Sequence, residues 1–381
     1  MDKHSLHYKL IPDDYLDSAG QIKEEFKYKI NIPELKIKDS KFIPNPGDKF
    51  ETMLFLPPNS NRIAEGGLRT KGLFKFSYKK VRSEMLEVRS DFEENNNNTS
   101  ENEGIWYICD LDGNPAIPAP TELQEKINQH TSNFSPTTFL PLITVITVVY
   151  NGAKYLEDTI KSVINQTYPN VEYIIIDGGS TDGTIDIIKK YEDYIDYWVS
   201  EPDKGIYDAM NKGLDIAIGN FIYFFGAGDI LYDPTVFSSI FLYYNNFRSY
   251  DIIIGNVVYS SGRFFKSRFD MSIYYKNTVH HQGAFYHRKV FKNFRYQKNY
   301  LVSADYELNL MLFCRGSNSK NLPMTITKCD IKGISNQVKL RGYIEEIRIR
   351  HKYLGNIVSI KYDILTIIRY LVKRLKKCIV L

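Results

Sequence analysis

An α/β fold with a mostly parallel central sheet is what the sequence predicts for residues 141–336, on three observations. Near-continuous β-branched runs recur, segments with helical periodicity lie between them, and turns rich in glycine and aspartate follow the runs. Strands buried on both faces read in this unbroken way, and alternation with amphipathic helices covers both faces of such a sheet. With 381 residues, 43% of them hydrophobic, the chain can bury a sizeable core.

Residues 1–140 read differently, as a small β-rich accessory region. Phe26 to Ile32, Lys49 to Leu56 and Gly72 to Tyr78 are short β-rich runs broken by Pro, Gly and Asn clusters. The polar, low-complexity stretch DFEENNNNTSENEG, residues 91–104, is expected to be a flexible insertion. Trp106 to Cys109 is expected as a further strand, and Thr121 to Gln129 as a short helix.

The main domain opens with Leu142 to Tyr150, a β-branched run that Asn151-Gly152 breaks. Leu156, Ile160, Val163 and Ile164 then share one helical face, and the helix stops before Pro169. Val171 to Ile176 is the second buried strand. Past the turn at 177–183, Ile185, Ile188 and Tyr191 mark another helix, Gly205 to Ala217 a third, and Phe221 to Phe225 a further strand.

Charge excludes one partner and localises another. Forty-nine basic against 45 acidic residues give +4, far short of a protein whose main partner is nucleic acid. Residues 337–381 hold eleven basic and three acidic residues, so the excess resides in a basic, amphipathic, helical tail. Such a segment resembles one that lies at an anionic membrane surface; a helix packed on the main domain with its basic face in water explains the pattern too. No run reaches the ~20 apolar residues that span a bilayer. The N-terminus lacks the apolar stretch of a signal peptide, and the four cysteines show no metal or disulfide spacing. A cytoplasmic protein, peripheral at the inner face of the membrane at most, is expected.

In parallel sheets ligands bind beyond the carboxyl ends of the strands. Those positions are Tyr150-Asn151-Gly152, Asp177-Gly178-Gly179-Ser180 and Gly226-Ala227-Gly228-Asp229, which bring two carboxylates to one edge. The glycines permit close backbone approach to a ligand, or simply a tight strand-to-helix turn. Thr184 stands where a P-loop requires Lys, and no Gly-x-Gly-x-x-Gly follows a strand, so a Walker ATPase and a dinucleotide fold are both excluded.

Three blocks, VITVVYNG (145–152), YIIIDGGSTDGT (173–184) and SEPDKGIYDAMNKG (200–213), resemble the signatures of glycosyltransferase family 2, and the likeness extends from about residue 142 to 335. HHQGAFYHR (280–288) and SADYELNL (303–310) are similar to the family's acceptor-side motifs, and GGLRTKG (66–72) to a linker that precedes such domains. The resemblance implies a GT-A fold, a nucleotide-diphosphate sugar donor, a UDP-sugar first, and inversion at the anomeric carbon.

Carried across, the resemblance makes Asp177 the acid that hydrogen-bonds the nucleotide base, with Tyr150, Asn151, Gly178 and Ser180 beside it. Asp203, Lys204, Asp208 and Asn211 belong to the nucleotide-sugar side, and His281 and Gln282 to the acceptor or diphosphate. Asp305 matches the catalytic base, although Ser303 to Leu308 also reads as a helix first turn where acids cap. The family's Asn-Ala-Asp-Asp signature is thinned here to Gly226-Ala227-Gly228-Asp229, which leaves Asp229 to hold Mg²⁺ or Mn²⁺ with phosphate oxygens and water. The expected function is an inverting glycosyltransferase acting on a lipid-linked oligosaccharide or surface polysaccharide. A catalytically silent sugar-nucleotide-binding or assembly protein is the alternative, on the strength of the thinned metal signature.

Overall fold

The computed structural model describes residues 53–81, 104–110, 113–119, 121–131, 139–242, 247–330 and 339–379. In chain order the elements are β1 (Ala64–Gly66), β2 (Tyr78–Val81), β3 (Ile105–Cys109), β4 (Pro115–Pro118), α1 (Thr121–Thr131) and β5 (Phe139–Leu140). Then come β6 (Ile143–Val149), α2 (Ala153–Ile164), β7 (Val171–Asp177), α3 (Thr184–Lys190), β8 (Tyr197–Ser200), α4 (Ile206–Ile216) and β9 (Phe221–Gly226). The remainder are β10 (Ile230–Leu231), α5 (Val236–Phe241), β11 (Ile252–Tyr259), β12 (Phe264–Phe265), β13 (Ala284–His287), α6 (Ala304–Cys314), β14 (Ser319–Cys329) and α7 (Lys339–Ile379).

One ten-stranded sheet in the order β1-β8-β7-β6-β9-β13-β11-β14-β10, with β12 beside β11, organises the molecule. Its centre, β8-β7-β6-β9, is parallel. Outside that centre β1, β13, β10 and β12 run antiparallel to their neighbours, while β11 and β14 pair parallel. The parallel character inferred from the β-branched runs thus belongs to the first half of the sheet. The second half was not legible because its strands, such as the 11-residue SKNLPMTITKC, mix charged and apolar residues.

Register explains why the strand ends meet. Val149 lies beside Asp177, Asp177 beside Ser200, and Val148 beside Gly226, so the loops that follow these strands open on one edge. Helices on both faces bury Ile146, Ile174, Val199 and Phe224 on one side and Val145, Ile175, Trp198 and Phe225 on the other.

The segment 53–81 is built into this sheet. Strand β1 extends its edge by pairing with β8, and Leu54, Phe55 and Leu56 are buried in the same core as Tyr197 and Val199. Arg69, 1% exposed, forms an ion pair with Glu172 and donates to the carbonyls of Leu54 (2.8 Å) and Ile216 (2.9 Å). Glu172 in turn accepts from the Thr144 hydroxyl and, at 3.0 Å, from Ile218 N. Lys75 pairs with buried Asp196 at 2.9 Å. The GGLRTKG stretch is therefore sheet edge and buried anchor here rather than linker.

The strand expected over Gly72 to Tyr78 is displaced to Tyr78–Val81. Gly72 ends a 3-10 turn at φ 76, a left-handed conformation, and Lys75 turns inward to its ion pair. Met53 to Leu56 form no strand, and Phe26 to Ile32 lies outside the described residues. So does the polar run at 91–104 apart from Gly104, which precedes β3. A four-stranded sheet, β4-β3-β2-β5, packs with α1: buried Trp106 donates from Nε1 to Asn128 Oδ1 at 2.9 Å.

Helix α7 is broken at Gly355 (φ 72, ψ 169) into two arms. Pairing of Arg350 with Asp363, Arg369 with Glu346, and the ring of Tyr343 with that of Tyr370 folds the arms back into an antiparallel hairpin. Among the described residues no helix is long and apolar enough to cross a membrane.

Candidate active site

The first two strand-end loops are sewn together by their own polar groups. Asn151, at φ 49, donates its N–H to Ser180 Oγ (2.7 Å) and accepts from Thr181 N on Oδ1 (2.9 Å). Gly152 N reaches Thr184 Oγ1 at 2.9 Å, and Ala153 N reaches Asp182 Oδ2 at 3.0 Å. Asn151 and Ser180 hold this frame, and Tyr150 projects from it, 67% exposed.

Asp177 is fully buried, and its carboxylate is engaged inside the protein. It accepts from Gly179 N (3.2 Å), Ser180 N (2.9 Å), Ser200 Oγ (2.6 Å) and the hydroxyl of Ser180. The neighbouring carboxylate is differently placed. A Cβ added at Gly178 would stand 2.5 Å from Asp203 Oδ2 and 3.4 Å from the Tyr150 ring, so Asp203 occupies the space that a side chain at 178 would fill. Asp203 Oδ1 accepts from Gly205 N at 2.7 Å, while Oδ2 accepts no hydrogen bond among the described residues. Burial holds the Asp203 carboxyl above its usual range.

Lys204, next in the chain after Asp203, is exposed. Asp208 accepts from Lys204 N at 2.9 Å and pairs with Lys298; burial opposes its ionisation, but these partners outweigh burial and lower its pKa. Asn211 is joined at both ends of its amide to the backbone of Tyr296, at 2.8 and 2.9 Å, and so ties α4 to the segment before α6.

Asp229 and Asp305 are reached by two consecutive residues. Gln282 Nε2 donates to Asp229 Oδ2 at 3.0 Å, and His281 Nδ1 stands 3.4 Å from Asp305 Oδ2. Asp229 also accepts from Gly226 N at 3.1 Å; burial, more than any partner, pushes its pKa up. Among the described residues no three His, Cys, Asp or Glu side chains converge as a metal cluster. Asp229 is the one carboxylate of the Gly226-Ala227-Gly228-Asp229 turn, and the N–H donors from Gly226 and Gln282 both fall on its Oδ2.

Asp305 sits in the first turn of α6 and is nearly buried. Its Oδ2 accepts from Asn277 Nδ2 at 2.9 Å, and its Oδ1 accepts no hydrogen bond among the described residues. Asn277 is itself held by Asn309 Nδ2 at 3.2 Å, and Asn309 by the Tyr286 hydroxyl at 2.9 Å. His280 takes no part at the carboxylates. It is packed among Tyr259 and Phe265, bonded to the Tyr259 hydroxyl at 3.0 Å, and burial drives its pKa down to about 3.

Two residues that bear on Asp305 escaped the sequence reading. Asn277 lies just ahead of the HHQ motif, and no local pattern marks it. Glu345, in the tail, accepts from the N–H groups of Leu301 (2.7 Å), Val302 (3.1 Å) and Ser303 (3.1 Å), the backbone that leads into Asp305. Lys352, on α7 like Glu345, pairs with buried Glu307 of α6.

Comparison with known proteins gives the following. The family model described as "Glycosyl transferase family 2" matches residues 144–308. A "PGL/p-HBAD biosynthesis glycosyltransferase" of Mycobacterium bovis (strain BCG / Pasteur 1173P2) is 31% identical over 179 residues, spanning 45% of this chain and 70% of that protein. TuaG of Bacillus subtilis (strain 168), a candidate teichuronic acid biosynthesis glycosyltransferase, is 42% identical over 96 residues, 24% of this chain and 38% of that one. The crystal structure of S. aureus TarS in complex with UDP aligns with a TM-score of 0.47 at 18% identity, over 56% of this chain and 66% of that chain.

Proposed function

Since this chain belongs to glycosyl transferase family 2, we propose that it is an inverting enzyme that moves a sugar from a nucleotide-diphosphate donor, a UDP-sugar, to a lipid-linked oligosaccharide or surface polysaccharide. The observation that carries this reading is the pair His281 and Gln282, whose side chains reach Asp305 and Asp229 and so hold a base and an anion-side carboxylate across one cleft.

In this reading Asp177 organises the loop, and Asp203 meets the base. Both oxygens of the buried Asp177 carboxylate already accept within the protein, whereas Asp203 Oδ2 accepts no hydrogen bond among the described residues and lies near Tyr150, suited to accept an imide N–H from a base lying against the ring. Asp305 Oδ1 takes the proton of the acceptor hydroxyl as its oxygen forms a bond to the anomeric carbon. The bond from that carbon to the diphosphate oxygen breaks on the opposite face, and the electron pair leaves with the nucleotide. Lys204 adds positive charge beside Asp203. A divalent cation held by Asp229 supplies further charge to the departing diphosphate when bound. An acceptor of this class is met at the inner face of a membrane.

The test is a panel of nucleotide sugars offered to the full chain, with and without Mn²⁺. Release of nucleotide that rises with a lipid-linked acceptor, and a product of inverted anomeric configuration by NMR, is expected. Tight retention of donor without acceptor-stimulated turnover would assign a binding protein instead. Full activity both in excess EDTA and in Asp229→Ala would remove the cation from the reading.

A further inference from the structure

The second arm of α7, residues 356–379, is packed inside out. Its inward positions are polar: Ser359 and Thr366 are fully buried, and Asp363 and Arg369 turn toward the first arm. Thr366 Oγ1 accepts from Arg350 Nη2 at 2.9 Å, and Asp363 takes Arg350 at 3.0 Å and His351 at 2.7 Å. Its outward positions are apolar. Ile357, Ile360, Ile364, Ile368, Leu371 and Leu375 are each between 50 and 88% exposed and follow one another at helical spacing as a continuous stripe.

A stripe this long, left in water, marks a surface made for an apolar partner. Charge selects which one. Lys361, Lys373 and Arg374 are exposed on the same arm, Lys376 and Lys377 follow them in sequence, and the arm's one acid, Asp363, is turned inward to Arg350 and His351. A second copy would bring like charges together across the stripe, whereas anionic headgroups complement them.

We propose that the outward face of residues 357–375 docks on the anionic surface of a lipid bilayer, the helix lying in the plane of the interface with its isoleucines and leucines below the headgroups. This goes beyond the transfer reaction and holds whichever sugar is moved. The first arm meanwhile grips the backbone ahead of Asp305 through Glu345, so the docked hairpin sets the acceptor side of the cleft next to the lipid.

The experiment is co-sedimentation of the full chain with vesicles of phosphatidylcholine alone and with about a quarter phosphatidylglycerol, beside the triple variant Ile364→Glu, Ile368→Glu, Leu371→Glu. All three sites are solvent-exposed, and an unchanged melting temperature reports that the variant is folded. The wild type should partition at least about tenfold better onto the anionic vesicles, and the triple variant should lose that binding. Lys373→Gln with Arg374→Gln should lower binding to the anionic vesicles only. Equal partitioning of wild type and triple variant overturns the proposal. So does a wild type that binds no vesicle but sediments as a dimer, which the triple variant converts to monomer.

Discussion

The imidazole Nδ1 of His281 stands 3.4 Å from Oδ2 of Asp305, and Asn277 Nδ2 occupies the same oxygen at 2.9 Å. Both groups fall on Oδ2, and Oδ1 accepts no hydrogen bond among the described residues. A carboxylate oriented in this way through one oxygen can take a proton on the other, which a simple helix-capping acid has no need to do.

Replacing Asp305 by Asn keeps the size and most hydrogen bonding but removes the base. Transfer to the acceptor should fall by ~10²- to 10⁴-fold, the usual scale for general-base catalysis, while the dissociation constant for the donor nucleotide stays within a factor of about two. Near-normal transfer in a folded Asp305→Asn protein would return the residue to a capping role.

Gly178 and Asp203 should behave as one unit. In Gly178→Ala the new methyl meets the Asp203 carboxylate, so donor affinity should drop with Asp203→Asn and Gly178→Ala alike, by about tenfold for the loss of one charged hydrogen bond. The pH dependence has a definite sign. Burial raises the Asp203 pKa, and the ionised form accepts from a base N–H more strongly than the protonated one. Donor binding should therefore weaken on acidification, starting at a higher pH than an exposed aspartate would allow, and Asp203→Asn should flatten that profile. Calorimetric titration with UDP across acidic pH reads both effects.

Glu345 holds the backbone of Leu301 to Ser303, and we expect it to position Asp305 through that backbone. Glu345→Gln leaves N–H groups poorly satisfied at a buried site and should cost about 1–3 kcal/mol of stability. The readout specific to positioning is a fall in kcat with donor affinity unchanged. An equal loss of donor binding and turnover would mark a general packing defect.

Arg69 and Glu172 form a pair buried beneath the sheet. Arg69→Met removes one charge and strands the other, and such changes cost about 3–5 kcal/mol. Denaturant unfolding should register the loss. The double variant Arg69→Met, Glu172→Gln should recover part of it.

The sequence carried the parallel half of the fold because each strand there is buried on both faces: Ile143–Val149 and Val171–Asp177 read as unbroken β-branched runs with helical spacing between them. Asp229, His281, Gln282 and Asp305 were legible from motif blocks, and the structure brings them to one cleft. The division of labour proposed for Asp177 and Asp203 was not legible, since it depends on three neighbours turning inward on one carboxylate and on the missing side chain at 178. The inside-out arm of α7 was hidden for a similar reason. Periodicity separates the apolar from the polar stripe of a helix, but which stripe faces the protein is decided by Arg350 and Glu346 on the opposite arm.

Strand β1 also sets where this chain can be cut. It covers the outer edge of β8, pairing Ala64 with Ser200 and Gly66 with Trp198. A fragment begun at residue 141, where the family motifs start, would uncover that row of backbone donors and acceptors one strand away from Asp177, and unpaired edges of this kind recruit strands from other chains. A fragment that keeps this edge covered must therefore retain β1 and the buried Leu54 to Leu56 ahead of it.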